Sequence, residues 1–386
     1  MNRRLDNLDP AAYTLPDALL GRVYTPALAI YMPQVRRNIQ RILAYANGDV
    51  KRWRPHIKTT KTPEVYAELL RAGLRHFKCA TLREARCLLC EARALEVLSE
   101  VDLLIAYPLQ GPALADAGEL PQQFPGARLS VLSESPAHVR SIDASLDVFV
   151  DVNPGMNRTG IPLTDQARIL EVVGAAGSRF AGLHFYDGHV HDDTGDERRV
   201  TTHKLYASLL ELRTQLLAQG FDCAELITSG TPTFKYALDF AEFLDLTGCQ
   251  HRVSPGTVVF HDLQYDDLLE DLELEPAAMV LSRVISKPND GLVTCDAGSK
   301  SVASEAGAPV AYVVGHPQLV AQSPSEEHLP LKVTGATGPD YGEVLLLVPK
   351  HVCPTVNLAE QALLVEEDGS ATVVDVKARA HDLLRA

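Results

Sequence analysis

RPHIKTTKTPEVYAELLRAGLRHFKCATLREARCLLCEARA, residues 54–94, repeats one rhythm twice. A β-rich run at 52–57 precedes a helical pattern at 62–73; HFKCA (76–80) then precedes a second helical pattern at 81–94. Short β-rich runs that alternate with helical periodicity are the mark of β–α units. The alternation extends in both directions. Upstream, ALAIYM (27–32) reads as a strand and PQVRRNIQRILAYANG (33–48) as a helix with Pro at its start and Gly at its end. Downstream, DLLIAY (102–107), RLSVLS (128–133), LDVFVDV (146–152), FAGLHFY (180–186) and AELITSG (224–230) read as strands, with helical stretches at 166–177 and 199–220. Seven or eight such units over 27–250 predict a parallel sheet closed into a (β/α)8 TIM barrel. Chemistry in such barrels sits at the C-terminal ends of the strands.

After about residue 275 the pattern changes. The runs at 277–288, 291–298, 309–317, 342–354 and 361–376 are β-rich and lack long intervening helices. They predict a C-terminal antiparallel β domain. The expected organisation is a barrel over 27–274 and a β domain over 275–386, with residues 1–26 packing on the latter.

The chain of 386 residues is 46% hydrophobic and 22% charged, with a net charge of −14. That balance argues against a nucleic-acid partner, which needs a basic footprint. No apolar run reaches the ~18 residues of a membrane span. The N-terminal stretch has no apolar signal core, so a cytoplasmic location is expected. The seven cysteines are scattered and read as reduced thiols. Cys87 and Cys90 lie in a helical pattern with no second pair nearby, so they read as buried core positions rather than zinc or redox groups.

Several polar clusters fall at strand ends. Lys58 lies between His56 and Lys61. It is either a solvated loop charge or, partly desolvated and flanked by the cations Arg54 and Lys61, a nucleophile toward an aldehyde. SGTPT (229–233) and SPGT (254–257) are Gly-plus-hydroxyl turns able to cradle a phosphate. Arg158, in NPGMNRTG (153–160), sits where it can donate to an oxyanion. His351 and Cys353 alternate in a strand-like run, which would aim both at one face as ligands of one metal, zinc by their chemistry. As ordinary strand residues they would need no metal.

RPHIKTTK, NPGMNRTG, FYDGHVHD, SGTPT, SPGT, ISKP, CDAGSK, SEEH and HVCPTVNL stand in the order found in the D-threonine aldolase/D-serine dehydratase family. The resemblance covers about residues 20–376. It implies an alanine-racemase-like barrel with a C-terminal β domain, pyridoxal 5′-phosphate (PLP) and a divalent metal, with zinc ahead of manganese or magnesium. Lys58 resembles the lysine that binds PLP covalently, Arg158 the arginine at its phenolic oxygen, and Tyr186 a tyrosine lining its ring. Ser229, Gly230, Thr231, Gly256 and Thr257 resemble the phosphate holders, and His351 with Cys353 the metal pair. The resemblance implies a small D-amino acid as substrate, and a homodimer is expected.

Two reactions follow from it. An aldolase splits a D-3-hydroxy amino acid into glycine and an aldehyde, with a metal-bound hydroxide, His189 or His191 as a candidate base. A D-serine or D-3-hydroxyaspartate dehydratase releases a 2-oxo acid and ammonia, with Lys58 taking the Cα proton. Thr60, where aldolases commonly carry His, and Cys353, where they commonly carry Asp, resemble the dehydratases. FYDGHVHD, ISKP, CDAGSK and PTVNL resemble the aldolases, and an aldolase is the expectation. A racemase and a PLP carrier without turnover are the remaining alternatives; carriers resemble the barrel alone.

Overall fold

The first strand, β1 (Ala27–Tyr31), does not enter the barrel. In the computed structural model, which describes residues 5–191, 194–335 and 337–384, β1 pairs antiparallel with Ala278–Asn289 and parallel with Gln361–Val365. Four of its five residues are buried. A strand buried on both faces reads as one apolar run wherever it is placed, so its sequence does not name its neighbours.

Seven parallel strands build the barrel: β2 (His76–Cys79), β3 (Asp102–Ile105), β4 (Arg128–Ser133), β5 (Asp147–Asn153), β7 (Phe180–Phe185), β8 (Glu225–Thr228) and β9 (Gln250–Val253), paired in that order. A two-residue strand, β6 (Ile161–Pro162), lies along the end of β5. Residues 53–57 close the ring. Trp53 bridges Val253 and His56 bridges Lys78, both in parallel sense. The Arg54 and Ile57 amides donate to Val253 O (2.9 Å) and Lys78 O (2.8 Å), and Lys78 N donates to Pro55 O (3.0 Å). Pro55 has no amide to give, so this eighth stave makes bridges rather than a continuous ladder.

The other sheet runs β13 (Leu319–Ala321), β14 (Leu329–Val333), β11 (Leu292–Cys295), β10 (Ala278–Asn289), β1, β16 (Gln361–Val365), β17 (Ala371–Asp375). β15 (Val344–Pro349) also pairs with β10, and β12 (Ala311–Val313) with β15. Residues before β1 pack on this sheet: Tyr13 meets Tyr31 edge to face at 5.1 Å, and the Tyr31 hydroxyl donates to Tyr13 O.

The chain therefore separates into two units. One holds residues 43–58, 66–256 and the end from 381; the other holds residues up to 42, 59–65 and 257–380. One of the breaks between the units falls at 256/257, where β9 has ended. Cys87 and Cys90 do lie on a helix (Leu82–Ala94), but Leu88 and Leu89 take the core positions. Cys90 is exposed and Cys87 half-buried, which corrects the expectation that both are core residues.

Candidate active site

Two polar clusters are described, one in each unit. In the barrel, Lys58 ends the closing stave, as a barrel nucleophile must, but its side chain is exposed. Arg54 is not a free cation beside it. Its guanidinium is fully buried and binds both Glu225 oxygens (2.8 and 2.9 Å) and Asp102 (3.0 Å). Lys61 belongs to the other unit, where its Nζ donates to Ala378 O (3.3 Å).

The desolvated lysine is Lys78, on β2, which sequence reading passed over. Burial, then the charge of Lys58, bring its pKa down to about 7. Its Nζ lies 3.3 Å from His184 Nε2, and His184 Nδ1 lies 2.7 Å from Asp151 Oδ1. Burial keeps His184 neutral. Its Nδ1–H therefore donates to Asp151, and its Nε2 accepts from Lys78. Burial opposes the Asp151 charge, yet His184 holds that carboxyl below the usual range. The only sequence signal for these three is a polar residue inside an apolar strand.

Lys78 makes a pH prediction. Its folded value, about 7, lies below the free value of 10.5. Between those limits the unfolded chain binds the extra proton, so this group makes stability rise with pH. Lys78→Met is expected to flatten that rise, read as thermal midpoint against pH across the window.

The strand-end loops are built around Tyr186. Asn153 Oδ1 accepts from the amides of Gly155 (2.9 Å) and Asn157 (3.0 Å), which folds the loop that carries Arg158. The Arg158 guanidinium then lies 4.7 Å from the Tyr186 ring centre. Gly230 lets the ring approach, since a Cβ there would stand 2.7 Å from Tyr186 Cε2. Gly256 serves the closing stave, because a Cβ there would stand 2.2 Å from His56 O. Thr228 and Val253 are paired in register, so Ser229 and Ser254 follow side by side. Both are buried, and neither hydroxyl has a partner among the described residues. An unsatisfied buried hydroxyl costs about 1–3 kcal/mol, so two at one edge fit an anionic oxygen ligand such as a phosphate. Ser254 is an addition to the residues read from sequence. Thr231 is buried next to them.

Asp187 is buried and structural. It accepts from Tyr206 and Thr233, each at 2.6 Å. His189 and His191 do not share a face of an extended segment. Residues 187–190 turn, with Val190 N donating to Asp187 O (3.1 Å). His189 is half-buried, its Nε2 2.8 Å from where a Cβ of residue 155 would stand, and His191 is exposed. Asp192 and Asp193 lie outside the described residues.

The second cluster corrects the reading of HVC as a strand. β15 stops at Pro349, and His351 is the N-cap of a helix, Val352–Leu358. Pro354 sits in the first turn, where a missing amide costs nothing. Asp262 Oδ2 accepts from Val352 N (3.0 Å), supplying the helix end from a neighbouring segment. His351 and Cys353 nevertheless lie close enough for the sulfur to raise the pKa of the imidazole, to about 9. Glu305 holds His351 Nδ1 at 2.5 Å, an arrangement that leaves Nε2 for a metal. The Cys353 sulfur lies 3.1 Å from Thr59 Oγ1 and 3.4 Å from Thr257 Oγ1. The Thr257 hydroxyl thus lies against the Cys353 sulfur. Among the described residues no three His, Cys, Asp or Glu side chains gather as a metal site, so the pair stands without a third protein ligand. Asp262→Ala is expected to lower metal affinity about 10–100-fold, as loss of outer support does, measured by competition with a chromogenic chelator.

Among the described residues no helix is long and apolar enough to cross a membrane. Residues 30–262 match the model for the alanine racemase N-terminal domain, and residues 277–365 match a serine dehydratase domain model. The chain is 31% identical over 380 residues to a D-threonine aldolase of Arthrobacter sp, covering 94% of this chain and 95% of that one. It is 25% identical to a D-threo-3-hydroxyaspartate dehydratase of Delftia sp., covering 86% and 91%. The crystal structure of D-threonine aldolase from Filomicrobium marinum superposes with a TM-score of 0.80 at 26% identity, covering 92% of this chain and 95% of that chain. With both domain models matched and the likeness running nearly end to end, the chain belongs to the D-threonine aldolase/D-serine dehydratase family of lyases.

Proposed function

We propose that this protein is a D-threonine aldolase-like lyase that cleaves D-3-hydroxy amino acids between Cα and Cβ, giving glycine and an aldehyde. The observation that carries the lyase reading, for either branch, is the His351–Cys353 pair, with Glu305 behind the imidazole and two hydroxyls beside the sulfur. A metal there suits a substrate that presents a β-hydroxyl. Identity of 31% along almost the whole chain to a D-threonine aldolase supports the aldolase branch.

PLP, when bound, supplies an electron sink for a carbanion at Cα, and a divalent metal supplies a Lewis acid for the β-hydroxyl. Lys58 would hold the cofactor's aldehyde carbon and Arg158 its phenolic oxygen, with Tyr186 against the ring. Ser229, Gly230, Thr231, Ser254 and Gly256 would hold its phosphate. His351 and Cys353 would hold the metal, and imidazole plus thiolate suits zinc better than magnesium or manganese. We assign the β-hydroxyl proton to His189, half-buried at a barrel strand end, rather than to the exposed His191. A homodimer is part of the proposal, and light scattering on the purified protein tests it.

The alternative, dehydration to a 2-oxo acid and ammonia, is favoured by two features: Cys353 in place of a carboxylate, and Thr60 rather than an acid–base group before Lys61. Offering D-threonine to protein loaded with PLP and zinc separates the two. Glycine with acetaldehyde is the expected result; 2-oxobutanoate with ammonia would overturn it in favour of the dehydratase.

A further inference from the structure

Cys223 and Cys249 lie in the barrel unit just before β8 and β9, which are adjacent and parallel. Glu225 pairs with Gln250, and Gln250 N donates to Ala224 O at 2.9 Å. Cys223 and Cys249 are therefore one residue off register on neighbouring strands. Strand spacing and rise put their Cα atoms roughly 6 Å apart, inside the range a disulfide spans. Both precede the regular ladder, so their side chains are not bound to alternate faces; the two thiols lie close enough to shift each other's acidity, and the Cys223 thiol donates to Glu225 O at 3.5 Å. Cys223 is buried and Cys249 half-buried.

We propose that Cys223 and Cys249 form a redox-active pair, separate from the lyase site, that closes reversibly to a disulfide under peroxide. The environment assigns the roles. The Cys223 thiol beside it, against some burial and helped by Arg213, lowers the Cys249 pKa. Cys249 beside it and its own burial raise that of Cys223. Cys249 is the more accessible and more acidic thiol, and Cys223 the resolving one.

The Cys249 thiolate attacks one peroxide oxygen. The O–O bond breaks, the departing hydroxide takes a proton to become water, and Cys249 becomes a sulfenic acid. The Cys223 sulfur then attacks the sulfenic sulfur and the S–OH bond breaks. The second hydroxide leaves as water with the Cys223 proton. Two thiols have lost two electrons, and hydrogen peroxide has been reduced to two waters. The pair sits at the strand starts, whereas Ser229 and Ser254 follow the strand ends, so the lyase activity is expected to survive in both states.

Trypsin would leave Cys223 in peptide 214–235 and Cys249 in peptide 236–252, one cysteine each. After hydrogen peroxide and alkylation of the full-length protein, non-reducing mass spectrometry is expected to find these peptides linked and two hydrogens lighter. A thiol reductant should release them, and the thermal midpoint should rise on oxidation. In Cys223→Ser, dimedone should trap Cys249 as the sulfenic acid, several-fold faster than it traps the more exposed Cys90. Full alkylation of both cysteines after peroxide, or oxidation falling first on Cys90, would overturn the proposal. So would sulfinic acid at Cys249 without a linked peptide. No readout depends on PLP, so failure here and failure of the lyase assignment are distinct.

Discussion

Lys58→Ala is expected to lower turnover by about 10²–10⁴-fold or more, and to abolish the visible absorbance of covalently held PLP. The side chain is exposed at the end of the closing stave, and its own backbone amide faces only a weak acceptor, His56 Nδ1 at 3.4 Å. Truncating an exposed side chain usually changes stability by no more than about 0.5 kcal/mol, so the loss should be functional rather than structural. Lys78 gives the control. It lies in the same barrel but is buried against His184 and Tyr186. If Lys58→Ala kept the absorbance band and Lys78→Ala lost it, the covalent role would pass to Lys78 and the strand-end argument would fail.

Arg54→Ala is expected to cost about 3–5 kcal/mol, the range for removing one partner of a buried ion pair. Domains hold only about 5–15 kcal/mol in all, so the barrel would unfold in far less urea. Arg54 is 0% exposed and holds Glu225, Asp102 and the Phe77 carbonyl at once. Its loss leaves two carboxylates in the barrel interior, with Arg252 as the remaining close cation on Glu225 (2.9 Å). Arg54→Lys should rescue little, because an ammonium cannot match a fork that meets both Glu225 oxygens. A urea midpoint for Arg54→Ala within error of the parent protein would refute this account of the core.

These two residues stand four apart in one motif, yet they differ in how far sequence reading reaches. Lys58 was legible because a lysine at the end of a β-rich run, before a helix, is a local pattern. Arg54 looked like one more loop cation, because its carboxylate partners lie 48 and 171 residues away. The same limit explains Lys78, whose partner His184 is 106 residues distant.

The sequence by itself determined the β–α alternation through residue 250, the β-rich end, and the strand-end loops with their Gly, Ser and Thr residues. All of these are set by side chains within a few residues of each other, where period and turn chemistry act. Only the tertiary structure decided which segment closes the barrel, that β1 joins the other sheet, and that HVC opens a helix capped by Asp262. It also decided which lysine is desolvated and which cysteines meet. Those outcomes depend on the partners a segment finds far along the chain. Burial and charge compensation are set by those partners, and local periodicity does not carry them.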